Sequence, residues 1–244
     1  MSAPHLLGPG SLPGPAGSPA VVNLLSELFA EYGDKIAQAM AETGYMVLVS
    51  LLCAILLGLP LGTLIYLTRA GGVIENRAVW SLANLYVTVV RSFPFLLFVV
   101  FIIPLTRLVF QTSYGTVAAT FPLCFVAVAI YARLAEQILL EIPSGIVQAA
   151  QSMGAGVPQI VFRFLFVEAR SGLVYALTSA TISLVSYSTV LGVVGGGGIG
   201  DFALRYGYQS YNFGLMLLTI VLIVVCVQLI QTIGQRASVA LDKR

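Results

Sequence analysis

Charged side chains are scarce in this 244-residue chain: Asp, Glu, Lys and Arg make up 9% of it, against roughly 25% in a soluble domain. That shortage excludes a soluble globular class. The net charge is only +2, and the basic residues are scattered, leaving no cationic stripe for a nucleic acid. Histidine occurs once, as His5, so a His-centred proton relay or metal site has no material. The three cysteines, Cys53, Cys124 and Cys226, lie in apolar runs without metal-ligand spacing and read as buried packing residues. With no Gly-x-Ser-x-Gly elbow and no membrane histidine, an intramembrane hydrolase lacks its nucleophile and base. No catalytic residue, cofactor or metal is expected.

What the chain has instead is long apolar sequence. Hydrophobic residues make up 58% and mean hydropathy is +0.96. Residues 44–68, 80–104, 116–132, 172–194 and 213–233 are each long enough to cross about 30 Å of hydrocarbon at 1.5 Å per helical residue. The fold class expected is therefore all-α and integral to the membrane, with five transmembrane helices. Gly58 and Gly62 share a helix face that permits close approach, and Pro60, Pro94, Pro104 and Pro122 mark kinks. Lys and Arg set the orientation. Arg69, Arg77, Arg133, Arg163, Arg170, Arg236, Lys243 and Arg244 fall on one side, and Lys35, Arg107 and Arg205 on the other. The richer side is cytoplasmic, which puts the N-terminus outside and the C-terminus inside.

Four regions follow. Residues 1–20, dense in proline and glycine, read as disordered; with no basic stretch ahead of an apolar core, they do not form a signal peptide. Residues 21–43 place Val21, Leu24, Leu25, Leu28, Tyr32, Ile36 and Met40 at helical spacing, which suits an amphipathic helix on the outer surface, or an early extension of the first span. A transmembrane domain covers 44–233, with a cytoplasmic loop at 133–171, and 234–244 form a cytoplasmic tail.

The spans hold no Asp or Glu, so the coupling-ion carboxylate of a gradient-driven transporter is missing. Arg91 is their one cation. It either meets a substrate carboxylate in a pathway or caps backbone carbonyls before Pro94; a mid-membrane charge costs about 3 kcal/mol, which favours a permanent partner. The fourth span is rich in hydroxyls, with Ser183, Ser186, Tyr187, Ser188 and Thr189. These either line a path, with Tyr187 and Val190 forming a constriction, or satisfy their own helix carbonyls. Gly195-Gly196-Gly197-Gly198-Ile199-Gly200 satisfies G-x-G-x-x-G, yet it follows a spanning helix rather than a strand and has no P-loop partner. It reads as a flexible, close-packed helix end. Beyond it, Asp201, Arg205 and Tyr208, with Phe202, Tyr206 and Tyr211, suit either a protein contact or an anchor at the membrane boundary.

The long loop carries the most specific pattern. Pro143 can open a helix, Gln148-Ala149-Ala150 continue it, and Met153-Gly154-Ala155 end it. Gly154 stands ten residues before Phe164-Leu165-Phe166-Val167. This spacing resembles the EAA signature, E-A-A-x3-G-x9-I-x-L-P, of permease subunits of ABC importers, with Gln148 in place of the signature Glu and Phe164, Phe166 and Val167 in place of Ile, Leu and Pro. Further strings, Leu140-Glu141-Ile142-Pro143, Glu168-Ala169, Arg91-Ser92-Phe93-Pro94-Phe95 and Tyr206-Gly207-Tyr208 followed by Tyr211-Asn212, look like permeases of methionine importers across roughly residues 35 to 240. The resemblance implies a homodimer flanked by two cytoplasmic ATPases and fed by an external substrate-binding protein. It also implies that the segment around Gln148, Ala149, Ala150, Met153, Gly154 and Ala155 is a coupling helix between the third and fourth spans. The amino-acid substrate would pass Ser183, Ser186, Tyr187, Ser188 and Val190, and Asp201, Arg205 and Tyr208 would meet the binding protein. A permease for another amino acid is the alternative, as is a passive channel, which would have no use for a coupling loop.

Overall fold

The computed structural model describes residues 19–242. The expectations for the proline-rich tail up to residue 18, and for Lys243 and Arg244, lie outside the described residues. Every regular element among the described residues is helical.

The first span is α1 (Pro19–Cys53), a π-helical turn at Ala54–Gly58, and α2 (Leu59–Thr68). Pro60 explains the π turn: it has no N–H to donate, and its ring presses on the carbonyl one turn earlier, so the helix widens just ahead of it. Residues 21–43, read as a surface helix or an early extension of the first span, belong to α1, which continues without a break into the apolar run.

The second span departs most from expectation. In place of one kinked helix there are two, α3 (Arg77–Ser92) and α4 (Phe95–Phe110), meeting at 114°. Phe93 and Pro94 between them are extended, with ψ of 133° and 127°. The residue ahead of a proline is pushed out of the helical region, and Pro94 itself donates nothing, so the helix stops and restarts. Both arms follow α5 (Thr116–Leu140). Ala83 and Val87 of α3 pack with Ala132, Phe98 and Ile102 of α4 pack with Val126, and the Phe110 ring lies 5.6 Å from that of Phe121. The pair thus advances from the C-terminal to the N-terminal half of α5, and counted as one broken span it brings the candidate spans to five.

Helix α5 is the centre of the bundle and extends past the expected end at residue 132. Charge pairing explains the extension: Arg133 donates to Glu136 at 2.6 Å and to Asn84 Oδ1 of α3 at 2.7 Å. With those charges satisfied, the helix continues beyond its apolar run. Small residues let the first span approach α5 closely; a Cβ on Gly58 would lie 2.9 Å from the Val128 carbonyl oxygen, the contact geometry favoured where no hydrophobic force joins helices in lipid. The expected polar loop at 133–171 is accordingly mostly helical. It contains α6 (Ser144–Ser152), α7 (Val157–Gln159), a π turn at Ile160–Leu165 and the start of α8 (Phe166–Leu191). A short α9 (Gly198–Phe202) and a π turn at Ala203–Tyr208 lead to α10 (Phe213–Leu241). Leu48, Leu52 and Leu56 of the first span, Phe101 and Leu108 of α4 and Ile233 of α10 point away from the bundle and are exposed, as lipid contact requires.

Candidate coupling face, central cavity and outer face

At one end of the bundle, α6 is held as a protrusion. Pro143 precedes it, and it ends in a Schellman cap: Ala155 N–H donates to the Ala150 carbonyl at 3.0 Å and Gly154 N–H to that of Gln151 at 2.9 Å. That cap needs a left-handed residue, and Gly154 supplies it with φ of +76°. Ala150 is fully buried in a cluster with Tyr66, Leu139, Ile160 and Leu165, flanked by Ile146 and Val147. The next helix opens with Gly156 N–H donating to Gln159 Oε1 at 3.1 Å. Gln148, Ala149 and Gly154 face outward, Ala155 is half-buried, and Met153 (70%) and Phe162 (67%) are exposed apolar side chains at a polar end of the bundle. Such a face is built to be covered.

Midway along the bundle lies a cavity of about 320 Å³, lined by the α3–α4 elbow, α5 and α8. Of the five residues read as a path, Ser183 and Tyr187 line it and Ser186, Ser188 and Val190 do not. Helical geometry gives the reason. Ser179, Ser183 and Tyr187 are spaced by four and share one face, whereas Ser188 is buried on another and Ser186 is exposed. The sequence reading missed Ser179, although its i, i+4, i+8 register with Ser183 and Tyr187 was available as a signal. Most α8 hydroxyls donate to their own helix: Ser183 to Ser179 O at 3.0 Å, Ser186 to Ile182 O at 3.3 Å, Ser188 to Val185 O at 2.7 Å and Thr189 to Ser186 O at 2.7 Å. Arg91 is exposed and also lines the cavity. Among the described residues it caps no carbonyl and forms no ion pair, so the capping role finds no partner.

At the opposite end from α6, Arg205 Nε donates to Asp201 Oδ1 at 2.8 Å, and both line a polar pocket of about 150 Å³ with Lys35, Gln38 and Glu42. Lys35 Nζ sits 4.7 Å from the Tyr206 ring centroid. Tyr208 is exposed outside this pocket. The glycine run behind them is packed rather than flexible. A Cβ on Gly196 would lie 2.8 Å from that of Ala119, and one on Gly198 2.7 Å from Thr43 Oγ1. The start of α9 is tethered to α1 by two bonds unforeseen in the sequence: Glu42 Oε2 accepts from Gly198 N–H and Thr43 Oγ1 from Ile199 N–H, each at 2.8 Å. Charge, hydroxyl and helix-dipole partners are all supplied by the first span.

The bundle thus carries a pinned helix at one end, a cavity partway along it and a tethered cap at the other end. Residues 54–244 match the family described as binding-protein-dependent transport system inner membrane component. The chain belongs to that family. Among its relatives, the probable D-methionine transport system permease protein MetI of Vibrio cholerae is 41% identical over 222 residues, covering 91% of this chain and 99% of that protein. The methionine import system permease protein MetP of Bacillus subtilis is 37% identical over 181 residues, covering 74% and 82%. A solved structure of the MetNI methionine ABC transporter in an inward-facing conformation aligns with a TM-score of 0.83 at 39% identity, over 93% of this chain and 100% of that one. For an inner membrane component of a binding-protein-dependent system, no chemistry is asked of the site beyond holding and passing a solute, and the side chains present suit that task.

Proposed function

We propose that this chain is the membrane-spanning permease of an ATP-driven methionine importer in the bacterial inner membrane. It forms a homodimer that carries two copies of a cytoplasmic ATPase and receives substrate from an external binding protein. ATP is hydrolysed by the partner, not by this chain. The observation that carries the reading is α6: a nine-residue helix, too short to be stable alone, is fixed by its Schellman cap and its buried Ala150 and presents Gln148, Ala149 and Met153 outward. That arrangement suits a lever pressed by another protein, and rigid-body rocking of the two halves would open the pathway to each side in turn.

Orientation rests on charge. Arg69, Arg77, Arg133, Arg163, Arg170 and Arg236 belong to the α6 end of the bundle, and Lys35, Arg107 and Arg205 to the opposite end, so α6 and the C-terminus are cytoplasmic and the N-terminus is outside. On that outer face, Asp201, Arg205 and Tyr208 take the contact with the binding protein, and Ser183 and Tyr187 line the translocation path, with Ser186, Ser188 and Val190 on neighbouring faces of the same helix. The test is co-expression with the cognate ATPase and binding protein, followed by uptake of radiolabelled methionine in vesicles, with other amino acids as competitors. ATP-dependent methionine accumulation is expected. Uptake of another amino acid in its place would refute the substrate, and accumulation by the chain without an ATPase would refute the importer.

A further inference from the structure

The central cavity holds an unusual set of unused hydrogen-bonding groups. Of the serines and threonines of α8, Ser171, Thr178, Thr181, Ser183, Ser186, Ser188 and Thr189 each bond a partner through their hydroxyls. Ser179 alone does not, and it faces the cavity. The Tyr187 hydroxyl and the Arg91 guanidinium are likewise unpaired among the described residues, and both line the same space. Three polar groups free to take a ligand thus converge on one concavity. No Asp or Glu belongs to the lining, so the cation has no resident counter-ion. The remaining wall is apolar: Phe95 packs its ring 4.6 Å from that of Tyr187, and Val126 and Ile130 lie beside them.

We propose that this cavity is a binding site within the permease for one zwitterionic, apolar α-amino acid. The proposal rests on the importer reading and deepens it. Arg91 takes the carboxylate through its planar fork of donors. Ser179 and Tyr187 accept from the ammonium group, assisted by Ser183, whose hydroxyl donates to its own helix and keeps its lone pairs free. The aromatic pair contacts the side chain, and a thioether gains from lying against such rings. The volume of about 320 Å³ is at the small end of the roughly 300–1,000 Å³ range of ligand sites, which suits a single amino acid. Selectivity also follows: a basic side chain would find no acid in the lining to receive it.

The test is equilibrium binding of radiolabelled methionine to the detergent-purified permease–ATPase complex without its binding protein. Competition by methioninol, which lacks the carboxylate, and by arginine is measured alongside. Saturable methionine binding is expected, with methioninol weaker by about tenfold or more, as for loss of a charged hydrogen bond, and arginine failing to compete. In R91Q, methionine should fall to the level of methioninol while methioninol binding is little changed; R91K should recover part of the difference. A purely structural arginine would instead weaken both ligands together, and that result overturns the assignment. Should R91Q fail to assemble by size exclusion, S179A and Y187F serve in its place. They should lose the preference for methionine over its deaminated analogue, and retention of that preference overturns the proposal. Methionine transport by a wild-type complex that shows no saturable binding would sink the cavity site alone. A wild-type complex that transports no amino acid would sink the importer reading and the site with it.

Discussion

Replacing Gly154 with alanine measures how far the protruding helix depends on its cap. Gly154 has φ of +76°, and a Cβ there would meet nothing within 4 Å, so no clash contributes and the whole cost is backbone. A left-handed L-residue costs about 1–2 kcal/mol, of which roughly 0.4–1 kcal/mol is offset by the reduced entropy of the unfolded alanine chain. The net is about 1 kcal/mol, or about fivefold in the population of the open cap. Because α6 has nine residues and isolated helices shorter than about 12 are marginal, the opening should spread through its last turn. Amide hydrogen exchange on the purified transporter reads this directly: Gly154 and Ala155, whose N–H groups make the cap bonds, should exchange about fivefold faster in G154A, with α8 unaffected. Coupled methionine uptake should fall in parallel. Unchanged exchange at Gly154 and Ala155 would show that the cap does not hold the helix, and the reasoning would fail.

Three further substitutions probe the same architecture. Ala150→Leu forces a larger side chain into a fully buried site and should cost about 1–3 kcal/mol, lifting α6 and weakening ATPase co-purification without preventing membrane insertion. Glu42→Ala removes the acceptor for Gly198 N–H and should destabilise by about 1–2 kcal/mol, seen as a lower melting temperature in detergent, whereas Gln38→Ala, an exposed partner of Glu42, should change it far less. Gly200→Ala drives a methyl group into the Thr189 backbone; overpacking against a carbonyl that cannot move should abolish assembly of the folded monomer, measured by size exclusion.

Much of this fold was legible because apolar length and helix punctuation are local properties. The fifth span lies inside α10 and the fourth overruns α8 by only three residues, and the Pro143 to Gly154 interval marked α6 almost to the residue. What stayed hidden depends on tertiary contact. Pro94 announced a kink, but the 114° elbow is set by where the two arms find Ala132 and Phe121 on α5. Arg133 and Glu136 looked like the start of a loop because their pairing with each other and with Asn84 cannot be read from composition. The glycine run offered freedom in sequence and has none in the packed bundle, since Thr43, Ala119 and Thr189 approach it from distant parts of the chain. The cavity was half visible: the hydroxyls of α8 were evident, but selecting Ser179 and Arg91 required knowing which face meets the elbow.

The elbow itself has a mechanical corollary. Its inner arm is 16 residues long, about 24 Å at 1.5 Å per residue, and is fastened to α5 through Arg133. Phe93 and Pro94 carry no helical conformation to be broken, so that arm can swivel about its corner without melting a turn. A tilt of about 5° over such a lever displaces its far tip, at Arg77, by about 2 Å, while Arg91, about 3 Å from the corner, shifts by only a few tenths of an ångström. Motion at the free tip of the arm can thereby be taken up at the corner while the cavity groups beside it hold their places.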